Sequence, residues 1–121
     1  MQEIIERYLA AWNETDPAKR RGLVDAVWAT DGSYTDPLAD VRGREAIDGL
    51  IGAVQQQFPG LVFTLGGAVD AHHDQARFTW HLGPAGVEGS EPVVIGFDVA
   101  VLDGSGQLGS VYGFLDKVPA A

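Results

Sequence analysis

Apolar residues follow two rhythms along this chain, and the change between them divides it. In the first half they recur at helical spacing. Ile4, Ile5, Tyr8, Leu9 and Trp12 form one stripe over residues 2–14, with Glu3, Glu6, Arg7 and Asn13 opposite, so Tyr8 is expected to face inward. Asp16-Pro17 suits an N-cap followed by the first helical position, and Leu23, Val24, Val27 and Trp28 give a second helix running to about Ala29 its apolar face. Thr30-Asp31-Gly32 then reads as a turn, Ser33-Tyr34-Thr35-Asp36 as a short strand stopped by Pro37, and Leu38 to Arg42 as loop. A third helix is expected from Arg44 to about Phe58, with Ala46, Ile47, Leu50, Ile51, Val54 and Phe58 inward and Pro59-Gly60 as its stop.

In the second half the period falls to two. Leu61 to Leu65 reads as a strand that continues irregularly to Asp70 past the bulge-like Gly66-Gly67, and His72 to Gln75 as a turn. Ala76 to Leu82 alternates, with Phe78, Trp80 and Leu82 on one face and Arg77, Thr79 and His81 on the other. Gly83 to Glu91 is expected to be a loose hairpin loop, Pro92 to Leu102 a central strand, Asp103 to Gly106 a turn and Gln107 to Lys117 the closing strand. Helices first and strands after predict a single α+β domain over residues 1–121, its helices on one face of a strongly bent, mostly antiparallel sheet. Such a sheet encloses a conical cavity suited to a small molecule.

The central strand contains an anomaly. Val93-Val94-Ile95-Gly96-Phe97-Asp98-Val99-Ala100-Val101-Leu102 is almost continuously apolar, yet carries a carboxylate at its centre with no positive neighbour. Burying an unpaired carboxylate is costly unless it stays protonated or finds donors. Asp98 is therefore a candidate functional acid, or else a residue paired with a distant cation such as Arg77. If Asp98 faces the cavity, Phe97, Val99 and Val101 face outward and need cover, which predicts a homodimer through that face.

Composition narrows the partners. The 121 residues carry a net charge of −9, which argues against nucleic acid. No apolar run approaches the length of a membrane span, and the acidic, amphipathic N-terminus lacks the pattern of a signal peptide, so a cytoplasmic location is expected. The absence of cysteine excludes disulfides, thiolate metal sites and cysteine nucleophiles. His72 and His73 lie in an acidic turn with Asp70 and Asp74, where solvent exposure is the simpler reading than a metal site. No cofactor motif is present.

The order of elements, with Tyr34-Thr35-Asp36-Pro37 and Gly43-Arg44-Glu45-Ala46-Ile47, resembles the NTF2-like superfamily of cone-shaped domains, in its SnoaL-like and ketosteroid-isomerase-like branches. Arg7-Tyr8, Asp36-Pro37 and Asp98 ahead of Asp103–Gly106 are similar in placement to the isomerases' site residues. That resemblance implies Asp36 as general base, with Tyr8 and a protonated Asp98 as donors to the developing oxyanion, an arrangement for which ketosteroid isomerase is the standard example. The further tyrosines of those isomerases are replaced here by Trp28 and Ile51.

The resemblance thus implies cofactor-free proton abstraction next to a carbonyl in a small apolar ligand, held by Trp12, Trp28, Phe58, Phe63, Phe78 and Trp80. A SnoaL-like aldol cyclisation of a polyketide-type substrate is the second reading it allows. There Asp98 would be the working acid/base, and Asp36 a turn-former, as aspartate before proline commonly is. A non-catalytic binding or dimerisation domain is the third.

Overall fold

The computed structural model describes residues 1–86 and 90–119. Its elements run α1 (Gln2–Asn13), α2 (Pro17–Val27), β1 (Trp28–Asp36), β2 (Ala39–Arg42), α3 (Arg44–Gln57), β3 (Leu61–Leu65), β4 (Asp70–His72), β5 (Gln75–Pro84), β6 (Val94–Leu102) and β7 (Leu108–Lys117). The sheet order is β2-β1-β7-β6-β5-β3, with β4 also paired to β5. Three helices with a mixed, strongly bent sheet make the expected α+β cone.

The helices form where the pattern places them. Ile5, Tyr8, Leu9 and Trp12 are buried along α1. The Asp16 side chain caps α2, accepting from the Lys19 N–H at 2.9 Å, and Pro17 occupies the first turn, where its missing N–H costs nothing. α2 stops at Val27 rather than Ala29, because Trp28 takes an extended conformation (φ −92°, ψ 145°) and enters β1 at once. Nor is Thr30-Asp31-Gly32 a free turn. It lies within β1, where the pairing with β7 shifts register between Trp28 and Ser33, and the irregularity has turn-like composition.

Two further segments differ from expectation. Residues 39–42 form β2, an antiparallel partner of β1 pairing Ser33 with Arg42 and Asp36 with Ala39. β3 ends at Leu65, and the chain resumes as β4 against the same neighbour, β5. Residues 87–89 of the expected hairpin loop lie outside the described residues.

The pairing that matters most for the site is β1 with β7, the one parallel pair among the described strands. It carries the end of β1, from the N-terminal half, to the middle of the C-terminal sheet. Along β6, Val94, Gly96, Asp98 and Ala100 are buried while Ile95, Phe97, Val99 and Val101 are only partly so. The strand thus turns Asp98 inward and its apolar neighbours outward, as the period of two requires.

Candidate functional site

Three elements bring the predicted carboxylates and tyrosine together. Across the sheet Asp98 stands between Phe78 of β5 and Gly113 of β7. From above, α1 lowers Tyr8 onto it, and the Tyr8 hydroxyl donates to Asp98 Oδ2 at 2.7 Å. From the side, β1 brings up Tyr34 and Asp36. A β-carbon at Gly113 would lie 2.9 Å from Asp98 Oδ1, 3.2 Å from Asp36 Cβ and 3.4 Å from the Tyr34 hydroxyl oxygen. The absent side chain at 113 is what lets the three groups meet.

The two carboxylates live in different surroundings. Asp36 closes the β1–β2 hairpin: its Oδ1 accepts the Leu38 and Ala39 N–H groups, each at 2.8 Å, and its Oδ2 accepts the Tyr34 hydroxyl at 2.8 Å. Asp98 is 1% exposed, and its Oδ1 has no hydrogen-bond partner. Arg77, the cation that might have paired with it, is bound to Asp70 at 2.9 Å on the surface. Burial pushes the Asp98 carboxyl up to about 6. The Tyr8 hydrogen bond and the nearby Trp80 indole oppose that rise, and the charge of Asp36 adds to it. Burial, and then the negative charge of Asp98, raise the Tyr8 phenol well above its usual range, so it remains a donor.

Over these groups lies a cavity of about 620 Å³, within the range of about 300–1,000 Å³ usual for small-molecule sites. Tyr8, Tyr34, Asp36 and Asp98 all line it, as do Trp12, Phe58, Phe63 and Trp80. The rings pack in a chain, Tyr34–Trp12 at 5.4 Å, Trp12–Phe63 at 5.4 Å and Phe63–Trp80 at 5.2 Å between centroids. Asn13 fixes the α1–β3 junction behind them, donating to the Phe63 carbonyl at 2.9 Å and accepting its N–H at 2.7 Å. Trp80 lies flat across its cross-strand partner Gly96, where a β-carbon would overlap the indole. The Trp12 indole N–H is buried without an acceptor.

Two of the expected ligand-contacting rings are elsewhere. Trp28 (0% exposed) and Phe78 (1% exposed) are not part of the cavity lining; they pack on Tyr8, with ring centroids 5.2 and 5.8 Å away. Both point inward, as their spacing implies, but behind Tyr8 rather than in front of it. Ile51, too, is plain core.

Conversely, Tyr34 was not among the expected site residues, and the signal for it was its spacing of two from Asp36 on one strand face; Gly113 is meaningful only once the β6–β7 register is known. His72 and His73 are exposed, and among the described residues no three His, Cys, Asp or Glu side chains gather as a metal ligand set. Nor, among those residues, is any helix long and apolar enough to cross a membrane.

Known proteins share this architecture. A crystal structure of a candidate isomerase of the SnoaL-like family from Agrobacterium tumefaciens strain C58 is 41% identical, with 95% of this chain and 96% of that one covered and a TM-score of 0.87. A hypothetical protein of ketosteroid isomerase-like fold from Catenulispora acidiphila, solved with trimethylamine, is 23% identical over 92% and 83% of the two chains, TM-score 0.73. A protein described as a candidate SnoaL-like polyketide cyclase from Jannaschia is 17% identical over 95% and 86%, TM-score 0.69. The last two likenesses speak to the fold alone. No curated protein is significantly similar to the chain. A SnoaL-like domain model matches residues 5–104, and with the cone and its floor of buried acid and tyrosine in view, the chain belongs to the SnoaL-like domain family.

Proposed function

We propose that this chain is a cofactor-free acid/base catalyst of the cytoplasm that moves a proton next to a carbonyl in a small apolar substrate, with Asp98 as the working group. The observation that carries this reading is the contrast in hydrogen bonding. Asp36 already accepts three donors, two of them from the backbone turn it closes. Asp98 accepts one, keeps Oδ1 free, and titrates at about 6, where a group takes and returns protons readily near neutral pH. The aldol-type reading, with the strand aspartate at work and Asp36 structural, is favoured over the one with Asp36 as base.

In the proposed reaction the Asp98 carboxyl turns about its terminal torsion, which is soft, to bring Oδ1 from over Gly113 to the substrate. It takes the proton from the carbon beside the carbonyl, leaving an enolate. Tyr8, which donates to Oδ2 in the resting geometry, sets the angle from which the carboxyl turns and so acts as a positioning residue. The Trp12 N–H, which interacts with the Tyr8 hydroxyl but makes no full hydrogen bond, supplies a donor for the enolate oxygen. The enolate carbon then attacks a second carbonyl in the substrate, whose π bond opens to an alkoxide that takes the proton from the Asp98 carboxyl. In a conjugated substrate, Asp98 instead returns the proton to a different carbon. The 41% identity to a candidate isomerase of the family supports this class of chemistry without choosing the substrate.

Exchange of the α-protons of a cyclic ketone such as tetralone in heavy water, followed by NMR, tests the assignment. Asp98→Asn is expected to slow exchange by roughly 10²–10⁴-fold. Asp36→Asn, which can still accept the turn N–H groups, is expected to stay within about tenfold. Fast exchange in a folded Asp98→Asn variant would sink the assignment.

The outer sheet face supports the homodimer proposal. Phe97, Val99 and Val101 are partly exposed there beside Tyr112 (46%) and Phe114 (57%). Sedimentation of the wild type against Phe114→Glu tests it, a monomeric wild type being the adverse result.

A further inference from the structure

The cavity carries a charge that the protein does not balance. Among the described residues its lining holds two carboxylates, Asp36 and Asp98, and no lysine, arginine or histidine. Asp36 is satisfied by its own turn and Tyr34, whereas Asp98 has one full hydrogen bond, from Tyr8, only neutral donors nearby (Tyr8 and the Trp80 indole), and an orphaned oxygen. Buried charges in proteins are paired, by the protein or by what it binds. Aromatic rings surround the unbalanced acid: Tyr8 and Trp12 first (centroids 6.3 Å apart), then Tyr34, Phe63 and Trp80. Ring faces are negative and attract cations, most strongly where water is excluded. The whole chain, at −9, steers cations toward it as well.

We infer that the preferred occupant of this cavity is a lipophilic amine bound as its ammonium ion, its charge set against Asp98 and its hydrocarbon against Trp12, Phe63 and Trp80. The inference rests on the cavity assigned in the proposed function and adds the charge of its ligand. An amine seated this way occupies the acid/base group and competes with a carbonyl substrate. Ligands bearing carboxylate, sulfate or phosphate at the cavity floor are refused, because they would bring a like charge to Asp98 with no cation to offset it.

The test uses one hydrocarbon with three charges: naphthylmethylamine, naphthylmethanol and naphthoate, titrated calorimetrically into the full chain at neutral pH. The amine is expected to bind at least about tenfold tighter than the alcohol, and naphthoate at least about tenfold weaker. In Asp98→Asn, checked for folding by circular dichroism, the amine's affinity should fall to that of the alcohol. The wild-type series decides even if that variant does not fold. An amine no tighter than the alcohol, naphthoate binding as well as the alcohol, or no binding of any of the three overturns the inference. The catalytic reading fails separately: tetralone exchange with no amine preference leaves catalysis standing, and an Asp98-dependent amine preference without exchange leaves only the binding site.

Discussion

Tyr34–Asp36 and Tyr8–Asp98 are the same chemical pair, a phenol donating to a carboxylate at 2.8 and 2.7 Å, built in two different ways. The first is local. Its partners sit two positions apart on one strand, and the carboxylate also holds two backbone N–H groups of the adjoining hairpin. The second joins residues 90 positions apart, from a helix and a strand that meet only in the folded core. Its carboxylate takes one full hydrogen bond, from Tyr8, with the Trp80 indole nearby, and one oxygen is stranded. Identical chemistry therefore serves two ends. Where several donors converge, the carboxylate is a structural clasp; where burial outruns the donors, it becomes a group whose proton is easily exchanged.

The widest separation between the pairs is expected in rate, through the exchange assay on Asp98→Asn and Asp36→Asn. The pH dependence of that rate carries its own sign. Asp98 works as a base only when ionised, so exchange should rise with pH through about 6 and level off above it. A profile flat from about pH 5 to about pH 8 would mean that Asp98 is not the base.

Stability should follow pH in the opposite direction. The folded chain holds the Asp98 proton more tightly than the unfolded chain does. The stability this confers is complete below the ordinary carboxylate range and is lost as pH rises through about 6. The loss by neutral pH is about 3 kcal/mol in order of magnitude. Urea unfolding of wild type and Asp98→Asn at several pH values measures it, since the variant lacks the titration and should gain on the wild type as pH rises. A constant difference between the two would show that burial is not what raises this group.

Gly113→Ala touches both pairs at once. Its new methyl would press on Asp98 Oδ1 and Asp36 Cβ, which should cost about 1–3 kcal/mol by the usual penalty of overpacking and slow exchange as Asp98 is displaced. An alanine variant with unchanged melting temperature and rate would mean that the strands move apart without effect on either carboxylate. The smallest effect is expected from Tyr34→Phe. Asp36 keeps its two backbone donors, so the loss should be about 0.5–1.5 kcal/mol, with exchange little changed. A larger fall in rate than in stability would draw Tyr34 into the chemistry.

The helical stripe Ile5–Tyr8–Leu9–Trp12, the Asp16 cap and the alternation about Asp98 were all legible in the chain, because each is a relation between residues a few positions apart. Periods of 3.6 and 2 alone sufficed to turn Tyr8 and Asp98 inward. That they touch could not be read from either period. It depends on where α1 lies over the sheet, just as the meeting of Asp36 with Asp98 depends on the parallel β1–β7 pairing and a glycine at 113. The same limit separated the aromatic residues. All six expected ring residues turn at least partly inward, yet Trp12, Phe58, Phe63 and Trp80 border open volume while Trp28 and Phe78 stand behind Tyr8. Inward or outward is a property of local periodicity. Which inward side chain borders empty space is set by the register and depth at which distant elements pack, and those are fixed by long-range contacts that leave no local pattern.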